Sequence, residues 1–173
     1  GIFYPNSLAI TDPDFSNSSG TTISSPWNDN TIGQPTQKAG TTVSSNLTYL
    51  EMDASSSSTK EYVRSIALTC PYDSANTGAK LYLFRANAWA TTAGYESQVL
   101  EAQVQLYDST PTLISGTDSA QYSSALNSSS STQIWMVFDH RNVSADPNTF
   151  KVKIGAPNAT GTRGIGVNQV QVY

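Results

Sequence analysis

The chain has 173 residues, a formal net charge of −4 and a pI of about 4.7. That length suits one domain with a core large enough to be stable without staples. Lys and Arg total 9 and are scattered, so nothing tracks a phosphate backbone, and no apolar run approaches the length of a bilayer crossing. Nucleic-acid binding and a membrane span are therefore not expected. Charged residues make up 13% of the chain, about half the usual share for a soluble domain, and Ser and Thr, about a quarter of the chain, take their place.

The chain opens at Gly1 without Met or an apolar leader, which fits a secreted protein whose signal peptide has been removed, or simply a trimmed one. In the first ten residues Ile2, Tyr4, Leu8 and Ile10 share one parity, and Pro5 lies on the other. A strand containing proline belongs at an edge, at a bulge or in a segment added from outside. Thr11 to Gly40 is polar and rich in turn residues and is expected to act as a tether or loop region. The remaining 41–173 is read as the β-sandwich core.

Within that core, Leu47 to Met52 is the first clear strand-like run. Tyr62 to Cys70 is the second, ending at the sole cysteine, which excludes an internal disulfide. Cys70 reads as a buried thiol, with an intermolecular disulfide as the other reading. Leu81 to Phe84 is apolar on both parities. Leu100, Ala102, Val104 and Leu106 alternate with Glu101, Gln103, Gln105 and Tyr107, the pattern of a half-buried strand. Ile134 to Phe138 is a continuous apolar run, which suggests a central strand covered on both sides. Phe150, Val152 and Ile154 alternate with Lys151 and Lys153, and Ile165 to Tyr173 closes the set. Weaker candidates are Thr21 to Ser24, Thr112 to Ile114 and Gln121 to Leu126. Turn chemistry separates these runs, and no segment carries a helical stripe. About eight strands without disulfides predict a single all-β sandwich, either a jelly roll or immunoglobulin-like.

Five Asn-x-Ser/Thr sequons occur, at Asn17, Asn46, Asn127, Asn142 and Asn158. With Ser and Thr at about a quarter of the chain, about three such matches arise by chance, so placement matters more than count. All but Asn46 fall in expected loops, and covalent glycans are expected in a secretory setting. Trp27 and Trp89, the latter near Tyr95, could stack on sugar rings if exposed, or cover the ends of the sandwich if not. Asp12-Pro13-Asp14, with Asp29 or Asp53, could ligate calcium, but no Asp-x-Asp-x-Asp-Gly loop is present, and no metal or cofactor is expected.

Catalysis has little support. The only histidine, His140, has no Gly-x-Ser-x-Gly elbow to serve and reads as a satisfied residue at a turn or strand end. Glu51, Glu61, Glu96 and Glu101 could in principle supply a glycosidase pair, although the strand residue Glu101 needs no role beyond facing solvent. Gly164-Ile165-Gly166 is too short and wrongly placed for a phosphate loop. The chain is not expected to be an enzyme.

The opening strand Ile2 to Ile10 and the scattered sequons resemble the subunits of donor-strand extracellular filaments, of the archaeal thread and bundling-pilus type. That resemblance implies a glycosylated structural subunit at the cell surface. Its N-terminal strand, through Ile2, Tyr4, Leu8 and Ile10, would complete the sheet of the next copy. The final stretch Gly164 to Tyr173 resembles the last strand of carbohydrate-binding jelly rolls. A carbohydrate-binding or adhesin module is accordingly the alternative, with a viral capsid or spike jelly roll behind it.

Overall fold

The computed structural model describes residues 10–40, 43, 47–54, 60–71, 78–94, 96–115, 120–122, 126–161 and 163–173. Among the described residues there is no helix. The strands are β1 (Asn30–Ile32), β2 (Thr36–Lys38), β3 (Tyr49–Met52), β4 (Tyr62–Arg64), β5 (Leu68–Thr69), β6 (Leu81–Ala90), β7 (Glu101–Tyr107), β8 (Leu113–Ser115), β9 (Ala120–Gln121), β10 (Thr132–Asp139), β11 (Thr149–Gly155) and β12 (Ile165–Val172). They form two antiparallel sheets. One has the order β10-β6-β12-β3-β2; the other runs β1-β4-β11-β7-β8, with β5 also on β11 and β9 on β7.

The expected sandwich is therefore present, and its strand order decides between the two architectures. We take the eight principal strands in chain order: β3, β4, β6, β7, β8, β10, β11 and β12. The first sheet arranges them first-eighth-third-sixth and the second arranges them second-seventh-fourth-fifth. That is a jelly roll and not an immunoglobulin topology.

The period-two patterns place the core between the sheets. Phe84, Ala86, Ile134, Met136 and Val172 point in from the five-stranded sheet, and Val104, Leu106, Phe150, Val152 and Ile154 from its partner. Tyr82 meets Phe150 at 5.2 Å between ring centroids, and Phe84 meets Phe138 edge-on at 6.4 Å. Cys70 is buried in this core, and burial pushes its thiol pKa up.

Four expectations need correction. Residues 11–40 are no free tether. β1 pairs with β4 and β2 pairs with β3, so the segment clips both sheets. Phe15 and Trp27, rings 5.0 Å apart and both fully buried, anchor it to the core. The Tyr62–Cys70 run is two strands, β4 and β5, because residues 65–67 leave the ladder there: Ser65 Oγ accepts from Val152 N while Ile66 N donates to Pro26 O. Of the weaker candidates, Thr21 to Ser24 forms no strand; only an isolated bridge joins Ser19 and Thr22. The Ile134–Phe138 run is not central either. β10 is the edge of its sheet; Ile134, Met136 and Phe138 face in, while Trp135 and Val137 face out and are 48% and 65% exposed.

Strand β12 carries a bulge. Its register against β6 shifts between Asn168 and Gln171, and Gln169 adopts φ 50°. The left-handed conformation is uncommon for a residue with a side chain and is held by its surroundings. Gln169 N donates to Asp14 Oδ1 (2.9 Å), and Val170 N donates to Pro13 O (3.0 Å). The N-terminal loop thus supplies the acceptors that the bulge takes away from the ladder.

Candidate functional site

The two outer faces differ in how their charges are used. On the seven-stranded sheet the charges are spent internally. Asp29 accepts from Arg64 Nε (2.6 Å) and Lys151 Nζ (3.1 Å). Lys151 also lies over the Tyr107 ring, and Lys153 over the Tyr62 ring. Burial alone would raise Asp29, but hydrogen bonds from Lys151 and Arg64 outweigh it and hold its carboxyl below the usual range.

The five-stranded sheet presents a different surface. On β10, the outward positions are Gln133, Trp135, Val137 and Asp139. Trp135 stands opposite Arg85 on β6, which stands opposite Gln171 on β12. The Trp135 ring stacks on Tyr173 at 5.9 Å with 27° between planes, and the Arg85 guanidinium lies 5.6 Å from the indole centroid. Amides surround them. Trp135 Nε1 donates to Gln133 Oε1 (3.1 Å), Tyr173 OH donates to Gln171 Oε1 (3.2 Å), and Asn87 Nδ2 donates to Gln169 Oε1 (2.6 Å). The bulge in β12 brings Gln169 onto this face beside Asn87.

Two recesses flank this row. One, of about 360 Å³, is apolar and lined by Leu81, Leu83, Val137 and Tyr173. The other, of about 180 Å³, is lined by Tyr49, Glu51, Trp89, Thr91 and Ser128. Trp89 follows Arg85 by four residues on β6, so the second recess lies roughly 13 Å along the strand from the exposed indole.

The expected sites fall as follows. Trp27 is 0% exposed and donates its indole N–H to Asp12 O (2.8 Å), so it offers no face to a sugar. Trp89 is 3% exposed. It lies across Gly166 on the adjacent strand, where an added Cβ would sit 2.4 Å from its ring, and meets Tyr49 at 5.0 Å. Both tryptophans pack, so neither offers the exposed face for sugar stacking that the sequence suggested. Tyr95, Asn46, Ile2, Tyr4 and Leu8 lie outside the described residues. Ile10, the last member of the opening strand, packs against the core of its own chain. Asn17, Asn127, Asn142 and Asn158 are all exposed in loops. At Asn127 the sequon serine Ser129 donates its hydroxyl to Asn127 Oδ1 (2.8 Å).

Asp12 and Asp14 face different partners. Asp12 accepts from Ser16 Oγ and Asn17 N, and Asp14 accepts from the β12 bulge. His140 is held on both ring nitrogens: Nε2 reaches Val104 O (2.9 Å) and Nδ1 reaches Ser115 Oγ (3.0 Å). A carbonyl only accepts, so Nε2 carries a proton. Glu61 is buried and accepts from Gln34 N (3.1 Å) and Asp53 N (2.7 Å), tying the β1–β2 turn to the end of β3.

Sequence reasoning missed the Trp135 face. The run Gln133 to Asp139 carries a period-two signal, with Gln, Trp, Val and Asp on one parity. Two large apolar residues on the outward parity hid it.

No family model matches the sequence, and no curated protein is similar to it. Solved structures do share the fold. An arabinose-bound α-L-arabinofuranosidase (MgGH51) superposes with a TM-score of 0.60 at 13% identity, covering 96% of this chain and 26% of that one. A cleaved adhesin domain of Lys-gingipain from Porphyromonas gingivalis gives 0.56 at 14%, covering 96% and 98%. The CBM22-1 xylan-binding domain from Paenibacillus barcinonensis gives 0.51 at 12%, covering 90% and 88%. The chain spans only 21%, 21% and 26% of the first three structures found, which are larger proteins. At such identities the likeness carries the fold alone: a β-sandwich of the kind seen in carbohydrate-binding and adhesin domains.

Proposed function

We propose that this chain is an extracellular, non-catalytic carbohydrate-binding or adhesin module that binds glycan on the outer face of its five-stranded sheet. The observation that carries this reading is Trp135, whose half-exposed indole is stacked on Tyr173 and ringed by the side chains of Arg85, Gln133 and Gln171. An indole left in water on a sheet whose other tryptophan is packed away marks an interaction surface. A pyranose offers one apolar face and a rim of hydroxyls. The indole matches the first, and the amides, which both donate and accept, match the second. The shared fold with a xylan-binding domain and an adhesin domain agrees with this reading. N-glycans at Asn17, Asn127, Asn142 and Asn158 would accompany secretion.

The test is a glycan array probed with the wild type, Trp135→Ala and Val137→Ala. The wild type and Val137→Ala should bind a common set of glycans. Trp135→Ala should lose about 2 kcal/mol, or roughly 30-fold in affinity, as a truncated aromatic anchor does. Equal binding by Trp135→Ala and wild type would reject the platform.

A second reading, the self-assembling filament subunit, draws on a different observation. β10 is an eight-residue edge strand whose outer side has no strand partner among the described residues; Val137 on it and Leu81 on the neighbouring β6 are exposed. An open apolar edge is where an incoming strand adds. Deleting residues 1–10 should abolish polymerisation under this reading; filaments that still form exclude it.

A further inference from the structure

The outer face of the five-stranded sheet holds a cation without an anion. Arg85 makes no salt bridge among the described residues, and its buried Nε has no hydrogen-bond partner. Two carboxylates of that sheet are already used: Glu51 pairs with Lys38 at 3.3 Å, and Asp139 pairs with Arg141 at 2.8 Å. Arg85 is held in place instead by the Trp135 ring, 5.6 Å from its guanidinium carbon.

The groups beside it are arranged as donors. An indole N–H can only donate, so the Gln133 atom that meets Trp135 Nε1 must be the amide oxygen, and the Gln133 NH₂ takes no part in that bond. Gln171 likewise gives its oxygen to Tyr173 OH and keeps its NH₂. Around the Trp135–Tyr173 pair the register thus gathers a guanidinium fork and two amides whose NH₂ groups are not used in these bonds. A neutral sugar would leave the guanidinium without a counter-charge, whereas an anionic substituent would satisfy it.

Resting on the sugar-platform reading, we propose that the ligand is an acidic glycan, a sugar whose ring stacks on Trp135 while its anionic group is gripped by Arg85 with the Gln133 and Gln171 amides. The anion can be a uronic or sialic acid carboxylate, which fits the planar fork two-pronged, or a sulfate ester. The chain's net charge of −4 gives no long-range attraction for such a glycan, so selectivity rests on this one local contact.

The experiment is an array of matched glycan pairs, uronate- or sialate-bearing against the neutral parent and sulfated against unsulfated, with affinities of the hits measured in solution at two salt concentrations. The wild type should prefer the anionic member by at least about tenfold, the scale of a charged hydrogen bond, and high salt should reduce that preference. Arg85→Gln should abolish the preference for the anionic member, and Arg85→Lys should restore part of it. A carboxylate-only or sulfate-only preference names the anion. Equal affinity for charged and neutral members, or a preference that survives Arg85→Gln, overturns the assignment and leaves the platform standing. Binding to none of the pairs removes the platform and the anion contact together. Thermal melts of each variant separate lost binding from lost folding.

Discussion

Gly166→Ala is the most direct probe of how the five-stranded face is built. Gly166 sits opposite Trp89, and a Cβ there would lie 2.4, 2.5 and 2.6 Å from three atoms of its ring. Ordinary carbon contacts are about 3.5 Å, so the indole must retreat by about 1 Å. It cannot do so freely, because Tyr49 meets it edge-on at 5.0 Å and only 3% of its surface is exposed. Overpacking of this kind costs about 1–3 kcal/mol. The backbone at Gly166 is in an ordinary region, so alanine also restricts the unfolded chain and returns about 0.4–1 kcal/mol. The net expectation is a loss of about 1–2 kcal/mol, or roughly 2–8 °C in Tm for a chain of this size. Urea unfolding of the wild type, Gly166→Ala, Trp89→Leu and the double variant forms the assay. In the Trp89→Leu background Gly166→Ala should become neutral or mildly stabilising, which gives a coupling of about 1 kcal/mol or more. An unchanged midpoint for Gly166→Ala in the wild-type background, or the same loss in both backgrounds, would refute the reasoning.

Three further outcomes follow from the same structure. Burial raises the Glu61 carboxyl pKa more than the N–H groups of Asp53 and Gln34 lower it, so the folded chain binds this proton more tightly than the unfolded chain. Its contribution to stability is complete below the unfolded value near 4.5 and is lost as pH rises through the higher folded value. The stability deficit of Glu61→Gln relative to wild type should therefore be largest near pH 4 and narrow towards pH 7 in urea titrations, where a widening deficit contradicts the assignment. Asp29 has the opposite sign: its lowered pKa stabilises above the usual carboxylate value and stops doing so as pH falls through the folded value. A double-mutant cycle of Asp29→Asn with Lys151→Gln should give about 0.5–1 kcal/mol near pH 7, and that coupling should vanish in acid. Cys70, buried and with its thiol pKa raised by desolvation, should react with a thiol reagent only at the rate of unfolding. Fast labelling of the native chain would contradict its placement.

The local patterns set much of this molecule by themselves. Alternation at Leu100–Tyr107 and Phe150–Ile154 named the inward residues correctly, because a strand with one wet face must show a period of two. A low charge, a single cysteine and turn residues between short runs were enough for a disulfide-free sandwich. What local pattern could not carry was the neighbour of each strand. β10 is an apolar run on a sheet with one solvent face, so Trp135 and Val137 on its outward parity meet solvent, and Trp135 makes the candidate site. Trp89 is buried because Gly166, 77 positions later in the chain, opens a seat for its ring. Trp27 is buried because the polar segment around it folds back over the sandwich, with Asp12 O accepting from its indole. Exposure of an aromatic ring is decided by what lies across the sheet or over its end. That depends on strand order and long-range pairing, and neither is written in the residues next to the ring.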